Sequence, residues 1–178
     1  QYNKKQAQRI IIMRIQTLQW HSYGVPLLNT LNSAHEALAI RRGVIVEITT
    51  DNGLTGYGES APLPNFSGGT LQEVLTSLEQ VAEHLHHMTI TAALQFITQH
   101  TAELATAALC GLETALLDLQ GQHTNHPLYQ LLAYPRVLTS QETGIARQRQ
   151  SIPVNMVIGA QAVPETITEA QQAVAQGY

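Results

Sequence analysis

Few side chains in this 178-residue chain stand at spacings that could do chemistry. His84, His86 and His87 close a helical run. His84 and His87 are three apart, share a helix face and could hold a metal between them, but no third ligand lies nearby in sequence. Histidine also suits the dipole at a helix C-terminus, so a solvated helix end is the expectation. Glu113 and Asp118 are carboxylates on one long apolar helix. Five apart, they point to different faces with no basic partner, and they read as structural. Cys110 is the single cysteine, which excludes an internal disulfide; inside an apolar helical run it is expected to be a buried, inert thiol. No nucleophile–base pair and no phosphate-cradling glycine loop is evident, so no catalytic residue is assigned.

What remains is a loop. In Gly53–Thr70, GLTGYGESAPLPNFSGGT, Thr55, Tyr57 and Glu59 alternate with Gly56 and Gly58. One face of that strand is nearly bare backbone, which lets another element come close. After Glu59 the alternation stops. Pro62 and Pro64 remove backbone donors and hold the chain extended, Phe66 has no periodic partner, and Gly68-Gly69 gives a flexible exit. An apolar, proline-stiffened loop of this kind either covers a site or packs on its own domain.

The elements that must position this loop follow from periodicity. Met13–Tyr23 is rich in β-formers, but Ile15 and Leu18 cannot share a face, so either a bulge intervenes or both faces are partly covered. Val25–Ile40 has no clean period and reads as a long connection, of the length often found in functional covers. Val44, Val46 and Ile48 alternate with Ile45, Glu47 and Thr49 in a strand, and Asp51-Asn52-Gly53 is a tight hairpin turn. A three-stranded antiparallel meander results. Thr70-Leu71-Gln72-Glu73 is a capping box, followed by Leu71, Val74, Leu75, Leu78, Val81 and Leu85 at helical spacing. A short helix is predicted over Ala92–His100. Glu103–Gln122 is the strongest helix, with Ala107, Gly111 and Ala115 as a small-residue row for close approach of another helix and Gly121 as its C-cap. Pro127 opens PLYQLLA as its first helical residue. Tyr134–Gln150 is polar and aperiodic, a linker. Ser151–Ile158 reads as a strand, and Pro164 to Gly177 as a helix with its cap.

Composition narrows the function classes. Charged residues make up 12% of the chain, about half the roughly 25% of an average soluble protein. The formal net charge of −4 gives no electrostatic footprint for nucleic acid. No apolar run approaches the roughly 18 residues of a membrane span, so no membrane partner is expected. Lys4, Lys5 and Arg9 precede Ile10–Ile12, an apolar run far shorter than the about 7–15 residues of a signal peptide. Met13 reads as a natural start, residues 1–12 as an extension, and a cytoplasmic setting is the expectation.

GYGESAPLPNFSGGT, residues 56–70, resembles the loop after the third strand of the capping domain in the enolase superfamily, in its muconate lactonizing enzyme branch. The APLPNFS run is most similar to that of o-succinylbenzoate synthases, although Asn65 stands where such synthases often have Gly. ATAALCGLETALLDLQGQHTNHPLYQLLA, residues 105–133, resembles the long helix and following turn of the same cap. The resemblance implies an α+β capping domain over 13–133, a linker over 134–150, and over 151–178 the first β/α unit of a (β/α) barrel whose remainder lies beyond Tyr178. A single such unit cannot bury its own strand, so the chain reads as truncated.

For function, the resemblance implies a Mg²⁺-dependent lyase that abstracts a proton α to a carboxylate and then dehydrates, in menaquinone or phylloquinone synthesis. The metal and proton-transfer residues would sit on barrel strands absent from this chain, so the fragment itself is expected to be inactive and to supply the lid. Dipeptide epimerases and muconate cycloisomerases share the cap and the proton abstraction and remain alternatives; a non-catalytic binding module is the reading of a different class. Two lid stretches match, Gly24–Ile40 and Ser60–Thr70. Pro62, Leu63, Pro64 and Phe66 are implied as apolar contacts to a small-molecule carboxylate substrate, and Ser67 as a hydrogen-bond donor. Arg41 either faces substrate or pairs with Glu59. Met156, Ile158 and Gly159 lie nearest the C-terminal end of the first barrel strand, where barrel sites are built.

Overall fold

A computed structural model describes residues 13–32, 37–63, 68–133 and 151–178. Its sheet has three antiparallel strands in the order β1-β2-β3: β1 is Ile15–Asn32, β2 is Ala37–Thr50 and β3 is Thr55–Ser60. The expected meander is present. The slip between Ile15 and Leu18 is a bulge, because the β1–β2 register shifts between Ile15 and Thr17. The tight turn is present as well, with Gly53 at φ 85°.

The connection expected over Val25–Ile40 is instead mostly strand. β1 runs on to Asn32 and β2 starts at Ala37, pairing Asn32 with Ala37 and Leu31 with Leu38, with a second register shift between Pro26 and Leu31. Periodicity fails here because the described residues of this end are mostly exposed on both faces. With neither face buried, nothing imposes apolar–polar alternation.

Among the described residues five helices follow: α1 Leu71–Leu85, α2 Ile90–Gln99, α3 Thr106–Thr124, α4 Leu128–Ala133 and α5 Val163–Gln176. The capping box forms as read: the Thr70 hydroxyl accepts from the Glu73 N–H, and the Glu73 carboxylate accepts from the Thr70 N–H at 2.7 Å. Those bonds hold the Glu73 carboxyl below the usual carboxylate range. Ser77 Oγ accepts from the Ala105 N–H at 2.9 Å and donates to the Glu73 carbonyl. It thus links α1 to the start of α3, whose N-cap Ala105 has no capping side chain.

The core lies between one face of the sheet and α1–α3. Val44, Val46 and Ile48 meet Val74 and Leu78 from α1 and Ala108, Leu112, Ala115 and Leu119 from α3, all fully buried. The bare face of β3 is where α3 comes in. A Cβ at Gly58 would collide with the Gly111 carbonyl, one at Gly56 with the Ala115 carbonyl, and one at Gly111 with Ser60 Oγ. The small-residue row on α3 therefore meets a strand and not another helix. Gly121 is buried inside α3, against the His126 carbonyl; the helix ends three residues later, with Asn125 in the left-handed conformation at φ 54°.

Cys110 is exposed, against expectation. It shares its side of α3 with Thr106 and Glu113, also exposed, so the helical wheel held the signal. Residues 151–159 form no strand, since they have no hydrogen-bonded sheet neighbour among the described residues. Ile152, Val154 and Val157 are exposed along this run. The helix after it, α5, forms as expected, with Pro164 in its first turn and Gly177 at φ 92° closing it. The linker over 134–150 and the extension over 1–12 lie outside the described residues.

Candidate functional site

Arg41 and Tyr23 sit on the sheet face turned away from the helices, opposite in parity to Val44 and Val46. Arg41 does not pair with Glu59. Its guanidinium donates from Nη1 to the Pro62 carbonyl at 2.6 Å and from Nη2 to the Ala61 carbonyl. Prolines offer no N–H, so carbonyls are the main-chain groups by which this stretch is held, and a planar fork of donors suits two successive ones. The chain leaving β3 is thereby clamped where the alternation stops. Of the lid residues expected to meet substrate, Pro62 is buried and Leu63 half-buried. Pro64, Phe66 and Ser67 lie outside the described residues.

Glu59 has a different partner, the Tyr23 hydroxyl, which donates to its Oε1. The Tyr23 ring crosses Gly43, where any Cβ would collide with it. Burial pushes the Tyr23 hydroxyl up to about 12, helped by the hydrogen bond to Glu59 and that residue's negative charge, with Arg41 pulling the other way. Tyr23 therefore stays a protonated donor at neutral pH. Sequence reading missed this bond; Gly43, a glycine within an otherwise regular strand, was the available signal.

The far end of the β1–β2 hairpin meets the segment before α5. The Ala160 N–H donates to the Asn32 carbonyl at 2.9 Å. A Cβ built on Gly159 would lie 3.7 Å from the Asn32 carbonyl oxygen and 3.9 Å from Leu31 Cδ1, ordinary van der Waals contact. Two regions singled out for separate reasons, the stretch Gly24–Ile40 and the residues around Gly159, are thus brought together. No sequence signal pairs them.

The remaining candidates are accounted for locally. His84 stacks on Phe96 with ring centroids 5.5 Å apart, and Phe96 stacks on His100 at 4.2 Å. His84 Nδ1 lies 3.0 Å from the Gln80 carbonyl. His87 turns away at φ 63° beside the ring of His86. All three histidines at the end of α1 are exposed, the expected solvated helix end. Asp118 Oδ2 accepts from the Tyr57 N–H at 3.0 Å and from Gln122 Nε2 at 3.0 Å, so it fastens α3 to β3; Glu113 is exposed. Among the described residues no three His, Cys, Asp or Glu side chains converge as a metal site, so no step through a metal ion is assigned to this chain. Among the same residues no helix is long and apolar enough to cross a membrane.

Comparison with known proteins agrees with this architecture. The family described as mandelate racemase / muconate lactonizing enzyme, N-terminal domain, matches residues 15–133. An aromatic dipeptide epimerase of Herpetosiphon aurantiacus is 32% identical over 117 residues, covering 65% of this chain and 33% of that protein. An L-Lys-D/L-Arg epimerase of Desulforapulum autotrophicum is 27% identical over 169 residues, covering 93% and 44%. The crystal structure of a dipeptide epimerase from Methylococcus capsulatus, complexed with Mg and the dipeptide L-Arg-D-Lys, superposes with a TM-score of 0.75 at 27% identity, covering 93% of this chain and 44% of that one. An o-succinylbenzoate synthase of Thermosynechococcus vestitus is 34% identical, but over 67 residues, 38% of this chain. The chain spans less than half the length of the epimerases it matches.

Proposed function

This chain belongs to the mandelate racemase / muconate lactonizing enzyme N-terminal domain family, and on that premise we propose that the whole protein is a dipeptide epimerase of the enolase superfamily. The observation that carries this reading is the extent of the match. Sequence resemblance to an L-Lys-D/L-Arg epimerase runs through 93% of the chain, whereas that to an o-succinylbenzoate synthase covers 38%. The reaction is removal of the proton α to a substrate carboxylate and its return to the opposite face. Magnesium, present in the epimerase structure compared, is the metal proposed for the whole protein. The part of this chain is the lid: Arg41 fixes the exit of β3, and the β1–β2 hairpin reaches Gly159.

The full-length protein with Mg²⁺, incubated with dipeptides in D₂O, is expected to incorporate deuterium at the α-carbon and to invert it, read by NMR and chiral chromatography. The second reading, an o-succinylbenzoate synthase, rests on the APLPNFS run. It predicts instead a dehydrated aromatic product from a succinyl-hydroxycyclohexadiene carboxylate, followed by ultraviolet absorbance. Formation of that product without any dipeptide epimerisation would overturn the epimerase reading.

A further inference from the structure

We propose that the outer edge of β1, over residues 17–25, pairs with the same edge of a second copy of this chain, the two strands running antiparallel about a two-fold axis at His21. The inference stands independently of the epimerase reading. It starts from a difference between the two edges of the sheet. Side chains of α3 close the edge of β3: Asp118 Oδ2 accepts from the Tyr57 N–H at 3.0 Å, and Gln122 Nε2 donates to the Thr55 carbonyl at 2.8 Å. β1 is closed at its start, where Ile15 bonds with His87 and Met88. Beyond that point, among the described residues, no main-chain group on the outer side of 17–25 has a partner.

The register tells which groups these are. The Tyr57 N–H points away from β2, so the opposite residue, Glu47, turns its main chain toward β1 and Gln19. By alternation Leu18, Trp20, Ser22 and Gly24 turn their N–H and C=O groups outward. Such a row is a template for another strand, and edges that stay single are blunted by charge, proline or cover. No Lys, Arg, Asp or Glu stands between Arg14 and Glu36, and the first proline, Pro26, ends the free stretch.

The composition of the edge points to its own copy as the occupant. A strand without charge meets itself without like-charge repulsion. Centred on His21, the pairing sets Trp20 opposite Ser22 of the second copy and Leu18 opposite Gly24, so a large side chain meets a small one at each step. Leu18 and Trp20 are half-buried and packed against the rim of the core, on the face of Val46 and Ile48. A second copy covers what the helices leave exposed there. The patch is self-complementary, as a closed two-fold interface requires.

The full-length protein is expected to sediment as a dimer that dissociates on dilution. Amide exchange at Leu18, Trp20 and Ser22 should be slow in the dimer and fast in the diluted monomer, a measurement on the wild type that needs no variant. His21 is exposed, so His21→Lys and His21→Glu should melt as the wild type does. Each sets like charges opposite one another across the axis and should weaken dimerisation about tenfold or more. An equimolar mixture of the two variants should recover it, because the facing charges are then opposite. A wild type that stays monomeric overturns the inference; protection of the same amides at every concentration would show that the rest of the chain covers β1. An assembly that neither variant weakens overturns it as well, and so does a mixture that associates no better than its components.

Discussion

The two ends of the β-sheet are built on opposite principles. Where β3 meets α3, glycines at 56, 58 and 111 bring backbone against backbone so closely that a single methyl has nowhere to go. At the far end of the β1–β2 hairpin, Val25, Leu28, Leu31 and Ile40 are exposed. The first arrangement spends residue types on packing and leaves no freedom for function. The second carries apolar surface that the core does not use and holds it in place by one main-chain hydrogen bond at Ala160.

Substitution should separate the two ends by size of effect. Gly58→Ala and Gly56→Ala should each lose about 3 kcal/mol of stability or more, because the new Cβ meets a backbone carbonyl that cannot yield; urea denaturation would show it, and a loss within error would mean the seam is looser than described. Asp118→Ala, which unfastens the Tyr57 N–H from α3, should cost about 1–2 kcal/mol in the same assay.

Thr70→Ala should cost about 1 kcal/mol through loss of the α1 cap. Because the folded Glu73 carboxyl is held below its ordinary value, its contribution is present above the unfolded pKa and fades as pH falls through the folded one. Thermal melts from neutral to acid pH should show this fading in the wild type and less of it in Thr70→Ala. Tyr23 marks the boundary between the two ends. In an alkaline ultraviolet titration it should ionise near about 12, and the late component should vanish in Tyr23→Phe. Its raised pKa means that any stability from the Glu59 bond is complete below the ordinary tyrosine value and is lost as pH rises through about 12. The smallest effect is expected at the hairpin end. Leu28→Ala should change stability by less than about 0.5 kcal/mol, and a larger loss would show that this end does serve the fold.

Much of the seam was legible before any coordinates. The Gly56/Gly58 alternation announced a close approach, and the Ala107–Gly111–Ala115 row announced one too, but to another helix. That the two halves meet each other was not legible, because residues 56 and 111 are joined by no periodicity. The hairpin end was misread as a connection, since strands without a buried face show no alternation to read. Whether the fork of Arg41 meets a carboxylate, a ligand or two carbonyls depends on where Ala61 and Pro62 lie.

The sequence by itself determined the local devices: the Thr70–Glu73 capping box, the Asn52-Gly53 turn, and the helical stripes of α1 and α3. Each is decided by sterics and hydrogen bonds within a few residues, so the residue types in a short window suffice. Only the tertiary structure decided that α3 lies on β3, that Arg41 clamps the exit of β3 and that Asn32 reaches Ala160. Those contacts join residues far apart in the chain, and their formation depends on which surfaces remain uncovered once the local pieces have folded.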